Sequence, residues 1–275
     1  MTACSQKTPK ELTISTNSWI GYTPLFYAQE KGYLDKLHIK LITTVSLAHS
    51  AKLYLIRRSD ITTMTQHEYN TIKDVEPTFR PIILIDRSNG GDMILANRSI
   101  KALQKSKKIT AYLEIGSINR ELLERFIKEY HLDIKKFKFI NKDQAQIADV
   151  HYTKENPILI VTYTPYNAKL LKSGFKEIAS TRDIHDLMVI DAMGTNQETL
   201  HNNRKRLLEL KKVIDKSIQE IQENPKEAYT LTNKYLDNIS YAEYQSSMKS
   251  IKWIDHPSSE LLHQLQKISY TKSLL

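Results

Sequence analysis

A strand-like run, Leu12-Thr13-Ile14-Ser15-Thr16, leads into a loop in which Trp19 and Tyr22 flank Ile20-Gly21. A helical stretch follows and stops before a second strand-like run, Ile39-Lys40-Leu41-Ile42-Thr43. This order constrains the chain more than any other feature. A strand, an aromatic loop and a helix N-terminus are the parts from which open α/β sheets build ligand crevices. Pro24 suits the first helical turn. Leu25, Ala28 and Gln29 share one helical face, and Gly32 after Glu30-Lys31 reads as the stop. The helix start offers free N–H groups to an anion or a polar ligand. Trp19 and Tyr22 have two readings at this point: ligand-facing aromatics, or core aromatics of an ordinary strand-to-helix turn.

The chain has 275 residues, enough for two lobes with substantial cores. Forty Lys and Arg against 31 Asp and Glu give a net charge of +9. The lysines are scattered and alternate with acids, and no nucleic-acid-binding module is recognisable, so nucleic acid is not the expected partner. Apolar runs such as Pro157 to Val161 are far too short to span a bilayer. Cys4 is the single cysteine, which excludes an internal disulfide and a cysteine-rich metal site. The nine histidines are dispersed, and none forms an obvious metal set. No Walker A loop, H-E-x-x-H, G-x-S-x-G or G-x-G-x-x-G occurs. Thr2-Ala3-Cys4 has the form of the end of a lipoprotein signal, with no apolar stretch upstream of it. A lipid-bearing Cys4 and an exposed thiol in the terminus are both compatible with that context.

Further along, Ser46 to Arg58 reads as a helix with Ser46 as its N-cap. Asp60 to Met64 reads as a short buried strand that ends at Thr65-Gln66-His67-Glu68, before a helix to about Asp74. Pro81 to Asp86 is a continuous apolar run, as in a sheet covered on both faces. The segment Asp86-Arg87-Ser88-Asn89-Gly90-Gly91-Asp92 then separates it from Met93-Ile94-Leu95-Ala96. Two adjacent glycines there suit a hairpin or a crossover that absorbs backbone rotation. Lys108 to Leu113 reads as a strand, and Gly116-Ser117-Ile118-Asn119 opens a helix from Arg120 to Tyr130. Asn141 to Asp149 reads as another short helix. Pro157 to Val161 is a buried strand that runs into Thr162-Tyr163-Thr164-Pro165-Tyr166 and a helix to Leu171. Leu187 to Ile190 reads as the last strand. From Gln197 onward the reading is helical, beginning with a long amphipathic helix that buries Leu207, Leu210, Val213, Ile214, Ile218 and Ile221.

Asn17 to Leu34 resembles the N-terminal binding loop of the periplasmic substrate-binding proteins of the nitrate, sulfonate, taurine and thiamine-pyrimidine group. The matching positions are Asn17, Trp19, Gly21, Tyr22, Pro24, Leu25, Ala28, Glu30, Gly32, Tyr33 and Leu34. Asp86, Ser88, Gly90 and Asp92 match a second family segment, and Thr162 to Tyr166 a third, with Tyr163 in place of Trp and Thr164 in place of Glu. The resemblance implies the type II periplasmic binding fold: two α/β lobes, each with a mixed central sheet, joined by a two-strand hinge. Lobe one would hold residues 1–91 and 190–275, and lobe two residues 92–189. The resemblance also settles Gly90-Gly91 as a hinge. It implies a ligand site built from Asn17, Trp19, Tyr22, Thr65, Glu68, Asp86, Ser88, Asp92, Gly116, Ser117, Asn119, Tyr163 and Tyr166. No catalytic residue, cofactor or metal is implied.

The implied function is capture of a small solute in the periplasm or at the outer face of the cytoplasmic membrane. A monomer, lipid-anchored if Cys4 is modified, would deliver it to an ABC permease. The alternative is a ligand-sensing accessory of a membrane receptor. Fungal thiamine-pyrimidine synthases share the fold but use a cysteine-rich iron site, and this chain has no second cysteine. The acids Glu68, Asp86 and Asp92 favour an amine or ring N–H on the ligand. Gly116-Ser117 favours an anionic end, and the aromatics a flat or apolar body. A zwitterion or an aromatic amine fits all three, and the resemblance adds a sulfonate or a pyrimidine.

Overall fold

The computed structural model describes residues 10–184, 186–267, 270, 274 and 275. Cys4 lies outside the described residues. The strands of the first lobe are β1 (Leu12–Asn17), β2 (Ile39–Thr44), β3 (Ile61–Met64) and β4 (Phe79–Ser88). The second lobe contains β5 (Asp92–Ala96), β6 (Ile109–Leu113), β7 (Phe137–Asn141), β8 (Ile158–Tyr163) and β9 (Lys176–Ser180). The chain then returns to the first sheet with β10 (Ile190–Asn196) and β11 (Ile251–Trp253). The first sheet has the order β11-β4-β10-β3-β1-β2 and the second β7-β6-β8-β5-β9. Both are mixed. In the first, β1 runs parallel to β2 and β3, while β10 is antiparallel to β3 and β4. In the second, β6 runs parallel to β7 and β8, while β5 is antiparallel to β8 and β9. This is the two-lobed α/β architecture that the resemblance implies.

Two connections join the sheets, residues 89–91 and residues 181–189. They lie side by side. Ser88 Oγ meets Thr181 Oγ1 at 2.9 Å, and the same Thr181 oxygen accepts the Gly90 N–H at 2.8 Å. Ser88 Oγ also accepts the Asp92 N–H at 3.0 Å. Gly90 has φ +101, a conformation that side chains other than glycine's rarely adopt.

Local signals place the helices that hold the first crevice wall. The helix Thr23–Glu30 has Pro in its first turn and buries Leu25 and Ala28. Gly32 follows in the left-handed conformation, φ 67. Ser46 caps the helix Leu47–Leu55, its side chain accepting the His49 N–H at 3.3 Å. The helix Gln197–Glu223 buries Leu207, Leu210, Ile214, Ile218 and Ile221 in the first-lobe core, with Val213 half-buried. Each of these aliphatic side chains contributes about 1.5–3 kcal/mol when fully buried.

Three elements differ from the sequence expectations. The last long strand begins at Ile190 and does not coincide with Leu187 to Ile190; it runs through polar Asp191 and Thr195, which are hidden because β10 lies between β3 and β4. Leu187 and Val189 instead pack into the second-lobe core. The helix expected over Asn141 to Asp149 is confined to Gln144–Ala148, because Asn141 ends the edge strand β7. The region expected to be wholly helical after Gln197 contains β11, a three-residue edge strand paired antiparallel to β4.

Candidate functional site

The carboxyl ends of the parallel strands of both sheets, with the starts of β5 and β10, meet at a cavity of about 20 Å³. Its wall is formed by Asn17, Trp19, Leu47, Thr65 and Asp191 of the first lobe and by Asp92, Glu114, Ser117, Ile118, Asn119 and Tyr163 of the second. Among the described residues, no group of three or more His, Cys, Asp or Glu is placed to hold a metal ion.

Each wall residue is aimed by its neighbours. Asn17 ends β1 and donates its amide across the cleft to Tyr163 Oη at 3.0 Å, a direct bond between lobes. The Trp19 indole N–H is shared by both carboxylate oxygens of Asp86, each at 3.2 Å. Its ring meets Tyr163 edge-on, with centroids 5.7 Å apart. Two glycines make room for this tryptophan. A Cβ on Gly21 would lie 2.0 Å from Asp86 Oδ2 and 2.4 Å from Trp19 Nε1. A Cβ on Gly91 would lie 2.4 Å from Trp19 Cη2. From the far side, the Trp253 indole donates to the Gly21 carbonyl at 3.0 Å and braces the same loop.

The second-lobe wall is organised by Gln144. Its amide nitrogen donates to Asn119 Oδ1 at 2.8 Å, while its oxygen accepts the Thr162 hydroxyl at 2.8 Å. Its backbone N–H donates to Glu114 Oε1 at 3.2 Å. At the first-lobe rim, Thr65 and Glu68 form a reciprocal capping box on the helix Gln66–Val75. One Glu68 oxygen accepts the Thr65 hydroxyl at 2.6 Å and the Thr65 N–H at 2.9 Å.

Several buried polar atoms gathered here have no hydrogen-bond partner: Asn17 Oδ1, Glu68 Oε1, Asp92 Oδ2, Asn119 Nδ2 and Thr164 Oγ1. Such groups cost free energy unless something satisfies them. The electrostatics are one-sided. Asp92, Glu114 and Asp191 line the cavity, with Glu68 and Asp86 buried close behind, and among the described residues no Lys, Arg or His lines it. Burial first, and then the Glu68 charge, pushes the Asp92 carboxyl up to about 6. Burial, with Glu68 and Asp143 adding to it, raises Glu114 to about 8 against the opposing Gln144 N–H. Burial also holds Asp86 and Asp191 well above the usual carboxylate range, with neighbouring acids adding to the effect.

Residues 19–228 match the pattern of a known family, described as NMT1/THI5 like. The chain belongs to the NMT1/THI5-like family. No curated protein matches the sequence. The fold of this NMT1/THI5-like chain is also that of solved periplasmic binding proteins. The periplasmic aliphatic sulphonate-binding protein SsuA of Escherichia coli superposes with a TM-score of 0.75 at 13% identity, over 95% of this chain and 86% of that one. A ligand-binding component of an ABC-type import system from Staphylococcus aureus, solved with zinc bound, gives 0.74 at 12% identity, over 94% and 90%. The periplasmic nitrate-binding protein NrtA of Synechocystis PCC 6803 gives 0.65 at 14%, over 85% and 68%.

Of the site residues named from the sequence, the NMT1/THI5-like fold places Asn17, Trp19, Thr65, Asp92, Ser117, Asn119 and Tyr163 on the cavity wall. The other six lie off it, each for a local reason. Tyr22 turns into the first-lobe core and donates to Asp191. Glu68 folds back onto its own helix start. Asp86 is covered by the Trp19 indole. Ser88 is engaged in joining the two inter-sheet connections. Gly116 sits exposed in the turn before Ser117. Tyr166 stands behind Tyr163, ring edge to ring face at 5.5 Å. Leu47, Glu114, Ile118 and Asp191 line the cavity and were not named from the sequence. The position of Glu114, one residue past β6, carried a signal: an acid at the carboxyl end of a buried strand.

Proposed function

We propose that this NMT1/THI5-like protein is an extracytoplasmic solute-binding protein that captures a small organic molecule between its lobes and delivers it to an ABC importer. One observation carries this reading. Unpartnered buried polar atoms from both lobes, Asn17 Oδ1 on one side and Asp92 Oδ2 and Asn119 Nδ2 on the other, converge on one interlobe cavity. At about 20 Å³ the cavity has room for about one water, so the lobes must part to admit a solute, which then satisfies both halves at once. The side chains of the site hold and orient; none is assigned to bond making. The importer step draws support from the family and from the names of the structural relatives, one of which is a component of an ABC-type import system. Delivery by a lipid-anchored form rests on Thr2-Ala3-Cys4, and mass spectrometry of the protein from its native host decides whether Cys4 carries lipid.

A thermal-shift screen against a library of small metabolites tests the capture step. A true ligand at about a hundred times its Kd adds about 2.7 kcal/mol to the stability. The same shift should shrink in Asn17→Ala and Asn119→Ala, which remove one contact from each lobe. A ligand whose effect survives both substitutions binds elsewhere and would overturn the site. Uptake of the ligand should be lost in cells lacking the permease.

A further inference from the structure

We propose that the solute held in this cleft is a small organic cation, an ammonium or amidinium that also carries one hydrogen-bond acceptor. The inference rests on the solute-capture reading above and adds the chemical class.

The free valences of the wall set that class. Asn17 Oδ1 and Asp92 Oδ2 are buried acceptors without donors, and both residues line the cavity. They ask for N–H groups. Asn119 Nδ2 is a buried donor without an acceptor. Its orientation is fixed: Gln144 Nε2 donates to Asn119 Oδ1 at 2.8 Å and also faces the Val161 carbonyl at 3.4 Å. The solute therefore presents one acceptor to Asn119 and at least two N–H groups, one to Asn17 of the first lobe and one to Asp92 of the second.

Charge sets the rest. Asp92, Glu114 and Asp191 form three acidic points of the wall, and Glu68 and Asp86 add a second acidic layer. The chain carries a net charge of +9, so this is no reflection of composition: among the described residues no base lines the pocket of a basic protein. Carboxylates in a low-dielectric site attract an opposite charge strongly and repel a like one as strongly. The Trp19 and Tyr163 rings are also part of the wall, and aromatic rings favour a cation over an anion. An anion such as a sulfonate or nitrate finds one unpartnered amide donor and, once Asp92 is ionised, a carboxylate charge against it. The sulphonate and nitrate in the names of two structural relatives are therefore a poorer match to this wall than a cation.

Small analogues of graded charge test this: acetamidine, acetamide and methanesulfonate, with benzamidine, benzamide and benzenesulfonate as a larger set. Calorimetry should show an amidinium of either set binding more tightly than its neutral isostere by about tenfold or more, and no binding of the sulfonates. Because the carboxylates of the wall are held partly protonated, cation binding should release protons. The observed heat should then depend on the ionisation heat of the buffer, and affinity should rise between about pH 6 and about pH 8. Asp92→Asn should cost about tenfold or more in amidinium affinity. Its melting temperature without ligand should be held or raised, because one of several crowded like charges is gone. Glu114→Gln should act in the same direction, so the outcome does not hang on one variant.

Equal binding of all three analogues, tighter binding of a sulfonate, or full amidinium affinity in both variants overturns the cation class. So does a silent amidine series alongside a neutral or anionic hit in a parallel metabolite screen, which leaves solute capture standing. Silence in both experiments removes capture and class together.

Discussion

Trp19 has two duties on one ring. It fills the space left by Gly21 and Gly91 and donates to buried Asp86, and it also forms part of the cavity wall. Trp19→Ala should therefore lower stability by about 3–5 kcal/mol, as for a core aromatic, and weaken solute binding as well. Trp19→Phe keeps most of the ring but strands Asp86, at a cost of about 1–3 kcal/mol. Urea unfolding of the two variants checks both figures, and a loss under about 1 kcal/mol for Trp19→Ala would show that the ring is no part of the core. From the sequence the core and binding readings stood as alternatives, because the partner that makes both true, Asp86, lies 67 residues away. The acids give a second prediction. Asp92 and Glu114 are raised to about 6 and about 8, so the folded state holds protons that the unfolded chain gives up near pH 4. Their contribution to stability is complete at low pH and is lost as pH rises through those values. The urea midpoint should fall from pH 5 to pH 9, and Glu114→Gln should flatten the upper part of the fall. The groups facing the two acids, Glu68, Asp143 and Asp191, are themselves acidic, and Tyr163 is held neutral by burial, so no base reverses the sign. A midpoint that rises with pH would refute the assignment.

The elements show where the sequence was legible. Helix starts and stops were, because their signals are local: Pro24 in a first turn, Gly32 at φ 67, Ser46 as a cap. Long apolar strands such as β4 and β8 were as well. Strands held by distant partners were not. β11 is recognisable only through its ladder with β4, and β10 hides polar residues between two neighbours. Asp191, unnamed from the sequence, reaches the cavity wall on that misplaced strand. The aromatic loop gives the test at this scale. Gly21→Ala forces a Cβ to within 2.0 Å of Asp86 Oδ2. Either the carboxylate or the loop must move, and overpacking of this kind costs about 1–3 kcal/mol. Thr65→Ala should cost about 1 kcal/mol through the lost cap. Its Glu68 partner would then be buried with fewer donors, so thermal melting should drop beyond what the cap alone explains.

Across the whole molecule, the two inter-sheet connections should move as one. Ser88 and Thr181 tie them together, and Gly90 already occupies a backbone region open to few other residues. Closure around a solute should reduce the radius of gyration in small-angle scattering, and an unchanged radius at saturation would count against a moving hinge. The loop between β1 and its helix has one more consequence. The chain has only two tryptophans, and both rest on Gly21: Trp19 from the cleft side and Trp253 through its bond to the Gly21 carbonyl. Trp253→Phe therefore leaves a single tryptophan, wedged between a carboxylate and a tyrosine at the place where the lobes meet. Any solute that enters should change the colour and brightness of its fluorescence, so the protein would report its own occupancy without a dye.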